Sequence, residues 1–412
     1  MNKNLSITVL LVTGISFILF GLGIVLNQPK YELIDIKGDK SNIGDVSFIS
    51  KMQNDLYSNT QTITSKDGFI VKKNSKSIID LKEDSDLKYK HNDLFKNMYP
   101  ENNIYQSEKN IGYLQEIGVN YADGSNSSIS FKIVNKNLYS NQIEEYDLTL
   151  PDIFTGENDF SYGFTVGIKD EDIYILSSVS EDMEYSDNGH VKSSGDVSIY
   201  VYKFNLNDKK LEKTGEFIQK KKENELMITN NRICFENDGK LYTTIESYPK
   251  DNKSNGEAYL IYYDMGKNKF EYMKESIVNN KEIENLETDT TQYSIEDGKL
   301  YLINKDDSDE NYTKINQSII DLKNNKLVEN KTYKIENLNE ISQIESFRVI
   351  DNKLYLCMQS YKANKDSYSF NNSVKNSIIV VDESNGDILY MGEYIENKPQ
   401  NATNFILKNN EI

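Results

Sequence analysis

The feature that most restricts the fold is a strand–turn–strand unit that returns four times. KDEDIYILSS (Lys169–Ser178), NDGKLYTTIE (Asn237–Glu246), EDGKLYLINK (Glu296–Lys305) and IDNKLYLCMQ (Ile350–Gln359) each set a polar turn before an alternating apolar strand. Asp-Gly and Asp-Asn in such places predict tight hairpins, whose two central residues both need positive φ. Each unit is followed by a second signature: an apolar run, an Asp or Asn, a short polar turn and another strand. The examples are SIYVYKFNLNDKKLEKTGEF (Ser198–Phe217), AYLIYYDMGKNKFEYMKE (Ala258–Glu275), SIIDLKNNKLVENKTYKI (Ser318–Ile335) and SIIVVDESNGDILYMGEY (Ser377–Tyr394).

Two hairpins per period make four antiparallel strands, the content of a propeller blade. Ile111–Leu150 and Val46–Lys73, the latter with Lys66-Asp67-Gly68 as its turn, read as more degenerate units. The fold predicted is all-β: a β-propeller of seven blades, with six as the alternative. The final ATNFILKNNEI repeats the opening of the hairpin without its second strand. That predicts a ring closed by mixing N- and C-terminal strands. Helical spacing is confined to Asp93–Tyr99. The polar stretches Glu83–Asn110 and Val278–Asp289 read as insertions between units, and Glu181–Gly195 and Tyr361–Val374 as long loops within them.

Ahead of the repeats, Ile7 through Leu26 runs without a charged residue. At about 1.5 Å per residue this matches a hydrocarbon core of about 30 Å. A cleaved signal peptide is the competitor, but its apolar part is usually shorter and ends at a small-residue site. Large domains translocate largely regardless of nearby charge. The expected organisation is a cytoplasmic tail (1–6), a transmembrane signal-anchor (7–26), a juxtamembrane segment (27–44) and an extracytoplasmic propeller (45–412). The protein would then sit in the cell membrane as a single-pass monomer.

Composition narrows the partners. With 65 acidic against 47 basic residues the formal net charge is −18, and the one basic run, Lys220–Lys222, reads as a solvated loop. Nucleic acid is not expected. Arg232 and Arg348 are the only arginines, and His91 and His190 the only histidines. Sites built on guanidinium clusters or on a nucleophile–His pair are therefore poorly supplied. Cys234 and Cys357 fall in different units, so they read as separate buried thiols; no Cys/His ligand spacing is present, and zinc is not indicated.

At Val380–Tyr390 the residues VVDESNGDILY resemble the blade signature of quinoprotein-like propellers, with Tyr390 where that family usually has Trp. The resemblance covers roughly the last 250 residues. It implies a blade and no particular activity, and the absence of Trp speaks against quinone binding. In its Asn/Lys/Ile-rich composition the chain also resembles single-pass proteins of low-GC Gram-positive bacteria.

The remaining chemistry is sparse. Asp306–Glu310 and Asp382–Asp387 offer oxygen ligands but lack the calcium-loop pattern, and read as solvated turns. His190 lies in a Gly- and Ser-rich loop. Arg232 and Arg348 precede hairpin turns, where they could face a channel and bind an anion or pair with a neighbouring carboxylate. No catalytic, cofactor-binding or metal-ligating residue is assigned. The function expected is an anchored binding or sensor module for a membrane-protein or cell-envelope ligand. The alternative is an anchored hydrolase or lyase on cell-wall or polysaccharide material.

Overall fold

A computed structural model describes residues 31–54, 57–64, 68–73, 90–95, 103–120, 127–154, 161–185, 191–193, 195–221, 223, 225–229, 233–249, 257–273, 292–306, 312–336, 341–361, 374–396 and 404–409. The apolar segment 7–26 lies outside them. Among the described residues no helix is long and apolar enough to cross a membrane.

The described chain is almost wholly antiparallel sheet. In chain order the strands are β1 (Tyr31–Gly38), β2 (Val46–Asn54), β3 (Tyr57–Thr64) and β4 (Gly68–Lys73). Then come the one-turn helix α1 (Asn92–Phe95) and β5 (Asn103–Gln106), β6 (Asn110–Asn120), β7 (Ser127–Asn137) and β8 (Ile143–Phe154). The next group is β9 (Ser161–Lys169), β10 (Asp172–Ser180), the small hairpin β11 (Glu184–Tyr185) and β12 (Val191–Ser193), β13 (Val197–Asn205) and β14 (Lys210–Gln219). It is followed by β15 (Glu225–Thr229), β16 (Phe235–Asn237), β17 (Lys240–Pro249), β18 (Glu257–Asp264) and β19 (Lys269–Tyr272). Last are β20 (Gln292–Glu296), β21 (Lys299–Asp306), β22 (Tyr312–Asp321), β23 (Lys326–Glu336), β24 (Ile341–Ile350), β25 (Lys353–Tyr361), β26 (Val374–Asp382), β27 (Ile388–Glu396) and β28 (Asn404–Asn409).

Apart from the separate two-stranded β11–β12 hairpin, the described strands form six meandering sheets. Sheet 1 is β28-β2-β3-β4, sheet 2 is β5 to β8, and sheet 3 is β9-β10-β13-β14. Sheet 4 is β15-β17-β18-β19, with β16 continuing the line of β15 along β17; sheet 5 is β20 to β23, and sheet 6 is β24 to β27 with β1 as a fifth, outer strand. The expected mixing of chain ends is present, because β28 pairs antiparallel with β2, from Val46 opposite Asn409 to Lys51 opposite Asn404. The segment at 27–44 contributes β1, and the 3-10 turn behind it (Lys40–Ile43) buries Ile43.

From sheet 2 round to sheet 1, successive sheets pack on one another through five apolar layers. Phe131 and Leu150 of sheet 2 meet Ile175 and Tyr202 of sheet 3, and Leu176 and Val201 of sheet 3 meet Leu241 and Tyr263 of sheet 4. Tyr242 and Leu260 of sheet 4 meet Leu300 and Leu322 of sheet 5, and Ile303 and Tyr333 of sheet 5 meet Phe347 and Ile379 of sheet 6. Tyr390 and Tyr355 of sheet 6 meet Phe48 of sheet 1. Alternating apolar strands with both faces covered produce this propeller-like succession.

The turn chemistry explains why the period is so regular. Asp238 and Gly239, Asp297 and Gly298, and Asp351 and Asn352 all have φ between 49° and 72°, as tight hairpins demand. The other turn, between the third and fourth strands, opens with Asn137, Asn205, Asp264, Asp321 or Asp382. Each side chain accepts backbone N–H groups two or three residues on, at 2.8–3.0 Å. Four residues later stands Asn141, Lys209, Asn268, Asn325 or Gly386, every one left-handed. Such Asx turns satisfy the donors that the chain reversal would orphan.

Two sequence expectations need amendment. The stretch 83–110 is not wholly an insertion, since Asn103–Gln106 is the first strand of sheet 2 and Leu94 and Phe95 cover that sheet beside Ile111 and Tyr113. A strand of four residues carries too little alternation to stand out among polar neighbours. The loop 181–195 likewise contains the β11–β12 hairpin. The stretch 278–289 lies outside the described residues, as does 362–373.

Candidate functional site on the inner strands

The first strand of each sheet meets the first strand of a neighbour: β5 with β9, β9 with β15 and β16, β20 with β24, and β24 with β28. With the second strands beside them, β10 and β17, they bring together several neutral hydrogen-bonding groups. Ser178, Cys234 and Thr243 form a buried triangle, with 3.3 Å between the Cys234 thiol and Thr243 Oγ1, and 3.4 Å from Thr243 to Ser178. Beside it the Ser180 hydroxyl accepts the Thr229 N–H at 2.7 Å. Asn103 donates to the Phe164 carbonyl, Tyr293 to the Cys234 carbonyl, and Gln292 to the Ile344 carbonyl.

Carboxyls stand here as well, among them Glu225, Glu236, Glu296 and the buried Glu246, and Glu345 differs from them in its backbone. Pairing of β24 with β25 passes from Ile344 opposite Met358 directly to Ser346 opposite Cys357, leaving Glu345 as the extra residue of a β-bulge. A bulge re-aims its side chain and locally ends pairing. Glu345 is half-buried, and burial alone pushes its carboxyl up to about 6. Behind it the Cys357 thiol is buried and driven far above its ordinary value, chiefly by burial and further by the charge of Glu345. At neutral pH Glu345 is a desolvated acceptor, and slightly below it an acid. Both states suit recognition of N–H or O–H groups, or proton exchange with them.

The residues singled out in the sequence are dispersed. Arg348 pairs with Glu296 of sheet 5, Nε to Oε1 at 3.2 Å, so it bridges two sheets as the carboxylate-paired reading expects. Arg232 and His190 lie outside the described residues. His91 is buried beside α1, its imidazole pushed down by burial and by Lys136, which itself pairs with Asp93 at 2.7 Å. Cys234 and Cys357 are both free thiols; Cys234 lies between β15 and β16 and not inside a strand. Lys220 pairs with Asp196 at 2.6 Å. Asp382–Asp387 is an Asx turn closed on itself, with Asn385 and Asp387 bonded at 2.9 Å. Of the other acidic run only Asp306 is described, at the end of β21. Among the described residues no group of three or more His, Cys, Asp or Glu could hold a metal ion.

Sequence reasoning missed Glu345, although a signal exists. The apolar alternation of β24 runs through Phe347 and Val349 but changes phase at Ile344, which is how a bulge looks in one dimension.

No protein-family model and no curated protein matches the chain. Among solved structures it is similar to the WD40 domain of SCAP from fission yeast, at 10% identity over 93% of this chain and 75% of that one, with a TM-score of 0.31. It is similar to a subtype N11 neuraminidase-like protein of influenza A/flat-faced bat/Peru (10% identity, 73% and 88% covered, TM-score 0.28). It is also similar to the GH43 protein BlXynB of Bacillus licheniformis (11% identity, 74% and 56% covered, TM-score 0.28). At these scores the likenesses carry no argument.

Proposed function

We propose that the chain is a membrane-tethered binding module: a β-propeller of six blades, one per sheet, closed by β28, and held outside the cytoplasm by the apolar segment 7–26. The observation that carries the binding reading is Glu345, a half-buried carboxyl that a β-bulge sets out of register on the first strand of sheet 6 and that burial pushes up to about 6. Such a site favours a polar ligand that offers N–H or O–H groups, such as a cell-envelope glycan or peptide. Membrane attachment is supported by the length and apolarity of 7–26.

The second reading, an anchored glycan hydrolase or lyase, draws on the same carboxyl, because a raised glutamic acid is the usual general acid of such chemistry. One experiment separates them. The full chain, purified from membranes, is assayed against cell-wall glycans and peptides for retention and turnover, beside Glu345→Gln. Retention without turnover, weakened at least about tenfold by the substitution, supports binding. Turnover lost in Glu345→Gln would establish the enzyme instead, and neither activity changing would remove Glu345 from both readings.

A further inference from the structure

The turn between β26 and β27 departs from its four counterparts just after the cap, where their side chain is apolar and its own is charged. The residue after the Asx cap is Leu138, Leu206, Met265 or Leu322 in sheets 2 to 5, and Glu383 in sheet 6. The backbone is the same in all five. Each of these N–H groups donates to a carbonyl in the first hairpin of its own sheet: Lys109, Glu171, Gly239, Gly298 or Asn352, at 2.7–3.1 Å. Each side chain is drawn inward, with Leu206, Met265 and Leu322 buried and Leu138 partly so. Glu383 is only 8% exposed. A carboxyl therefore occupies the place of an apolar plug.

Its surroundings are not those of a satisfied ion pair. Among the described residues no hydrogen bond of good geometry reaches Glu383 Oε1 or leaves Gln317 Nε2, although the Gln317 amide lies close enough to favour the carboxylate weakly. Lys331 Nζ stands 3.9 Å from Oε1 and spends its hydrogen bond on the Glu383 backbone carbonyl at 3.1 Å. Tyr333 gives its hydroxyl proton to Gln317 Oε1 at 2.7 Å and not to the carboxyl. A buried carboxylate without good bonds is expensive, whereas the neutral acid is tolerated.

We propose that Glu383 is a proton-operated latch on the seam between sheets 5 and 6, closing it when neutral and loosening it when ionised. The groups around it fix the direction. From sheet 5 it faces Lys299 and Tyr301 on β21, Gln317 on β22, and Glu329, Lys331 and Tyr333 on β23; Asp382 precedes it in its own turn. Burial is the largest influence and raises its proton affinity, helped by Glu329. Lys331, Lys299 and Gln317 oppose it and do not prevail.

A carboxyl raised in the folded state binds its proton more tightly there than in the unfolded chain. Its stabilising contribution is complete below the ordinary glutamate value and is lost as pH rises through the raised one. Asp382 next door behaves oppositely. The Ser384 hydroxyl and N–H and the Asn385 N–H hold it low, so its contribution is lost only as pH falls. Adjacent carboxyls thus give the turn a closed, capped state in mildly acidic conditions. The seam borders the sheet that carries β1, so the latch acts where the chain enters the domain.

The test is amide hydrogen exchange of the purified full chain, corrected for intrinsic rates, at pH 5 and pH 7.5. In the wild type, protection of β23 and β26–β27 should fall at least about threefold more towards pH 7.5 than protection of the seam between sheets 4 and 5. Glu383→Gln, permanently neutral, should abolish that excess, and Lys331→Met should enlarge it. An excess unchanged in Glu383→Gln overturns the proposal. So does its disappearance in Lys331→Met, which would trace the pH dependence to the lysine and not to the carboxyl. If Glu383→Gln does not accumulate, Glu383→Leu restores the plug of the other sheets and makes the same prediction.

Discussion

The seams on the two faces of sheet 5 are built from the same repeat and solved differently. Towards sheet 4, Leu322 closes the turn against Tyr242, Leu260 and Tyr262, and the main polar contact is Asn325 donating to the Tyr262 hydroxyl at 2.8 Å. Towards sheet 6 the inner strands are tied by Arg348 and Glu296, while the outer turn buries Glu383 among Tyr301, Tyr333 and Lys331. Backbone, cap and left-handed turn residue correspond throughout. Identical scaffolding can therefore carry either a dry joint or a titratable one, and a single side chain decides which.

The strongest way to break this comparison is to move the carboxyl. Leu322→Glu should cost about 3 kcal/mol or more at neutral pH, because the buried Met273 holds the place in sheet 4 that Lys331 holds in sheet 5. Its urea midpoint should fall steeply, and a neutral effect would mean that the dry seam tolerates charge as well as the polar one. Next in size, Asp321→Ala and Asp382→Ala should each cost about 1 kcal/mol by stripping the acceptor from two turn amides. Equal losses would show that the caps are interchangeable even though the plugs are not. Glu383→Leu should then stabilise the protein by roughly 1 kcal/mol at pH 7.5 and give nothing near pH 4, where the native acid is already neutral. A loss at pH 7.5 would mark the ionised carboxyl as favourable.

The smallest expected effect lies at Glu345. Its carboxyl, at about 6, contributes stability below about pH 4.3 that disappears as pH rises through 6. Glu345→Gln should flatten that window in a stability–pH curve and leave the rest unchanged.

Much of this architecture could be read from residues in order. The Asp-Gly turns, the Asx caps and the Tyr-bearing second strands repeat in register, since positive φ and side-chain capping admit few residue types. Even the orphan strand at 404–409 was legible as half a hairpin. Sheet 2 was harder: β5 is too short for periodicity, and its neighbours in sequence are polar. Glu383 was visible in principle, as the one charge in a column of Leu and Met, but its meaning depends on Gln317 and Lys331, which sequence separates from it by more than fifty residues. Glu345 acquires its character from desolvation, which no local pattern encodes.

The way β1 is stitched onto β27 has a mechanical consequence. Tyr31 lies opposite Glu396 and Gly38 opposite Tyr390, and the Tyr390 hydroxyl is fastened to Asp35 at 2.7 Å. Any tension arriving from the chain ahead of Tyr31 must first peel or shear this ladder before it can reach β2 and the β2–β28 closure. The outer edge of sheet 6 thus acts as a strain relief, shielding the β2–β28 joint from a pull on the segment ahead of Tyr31.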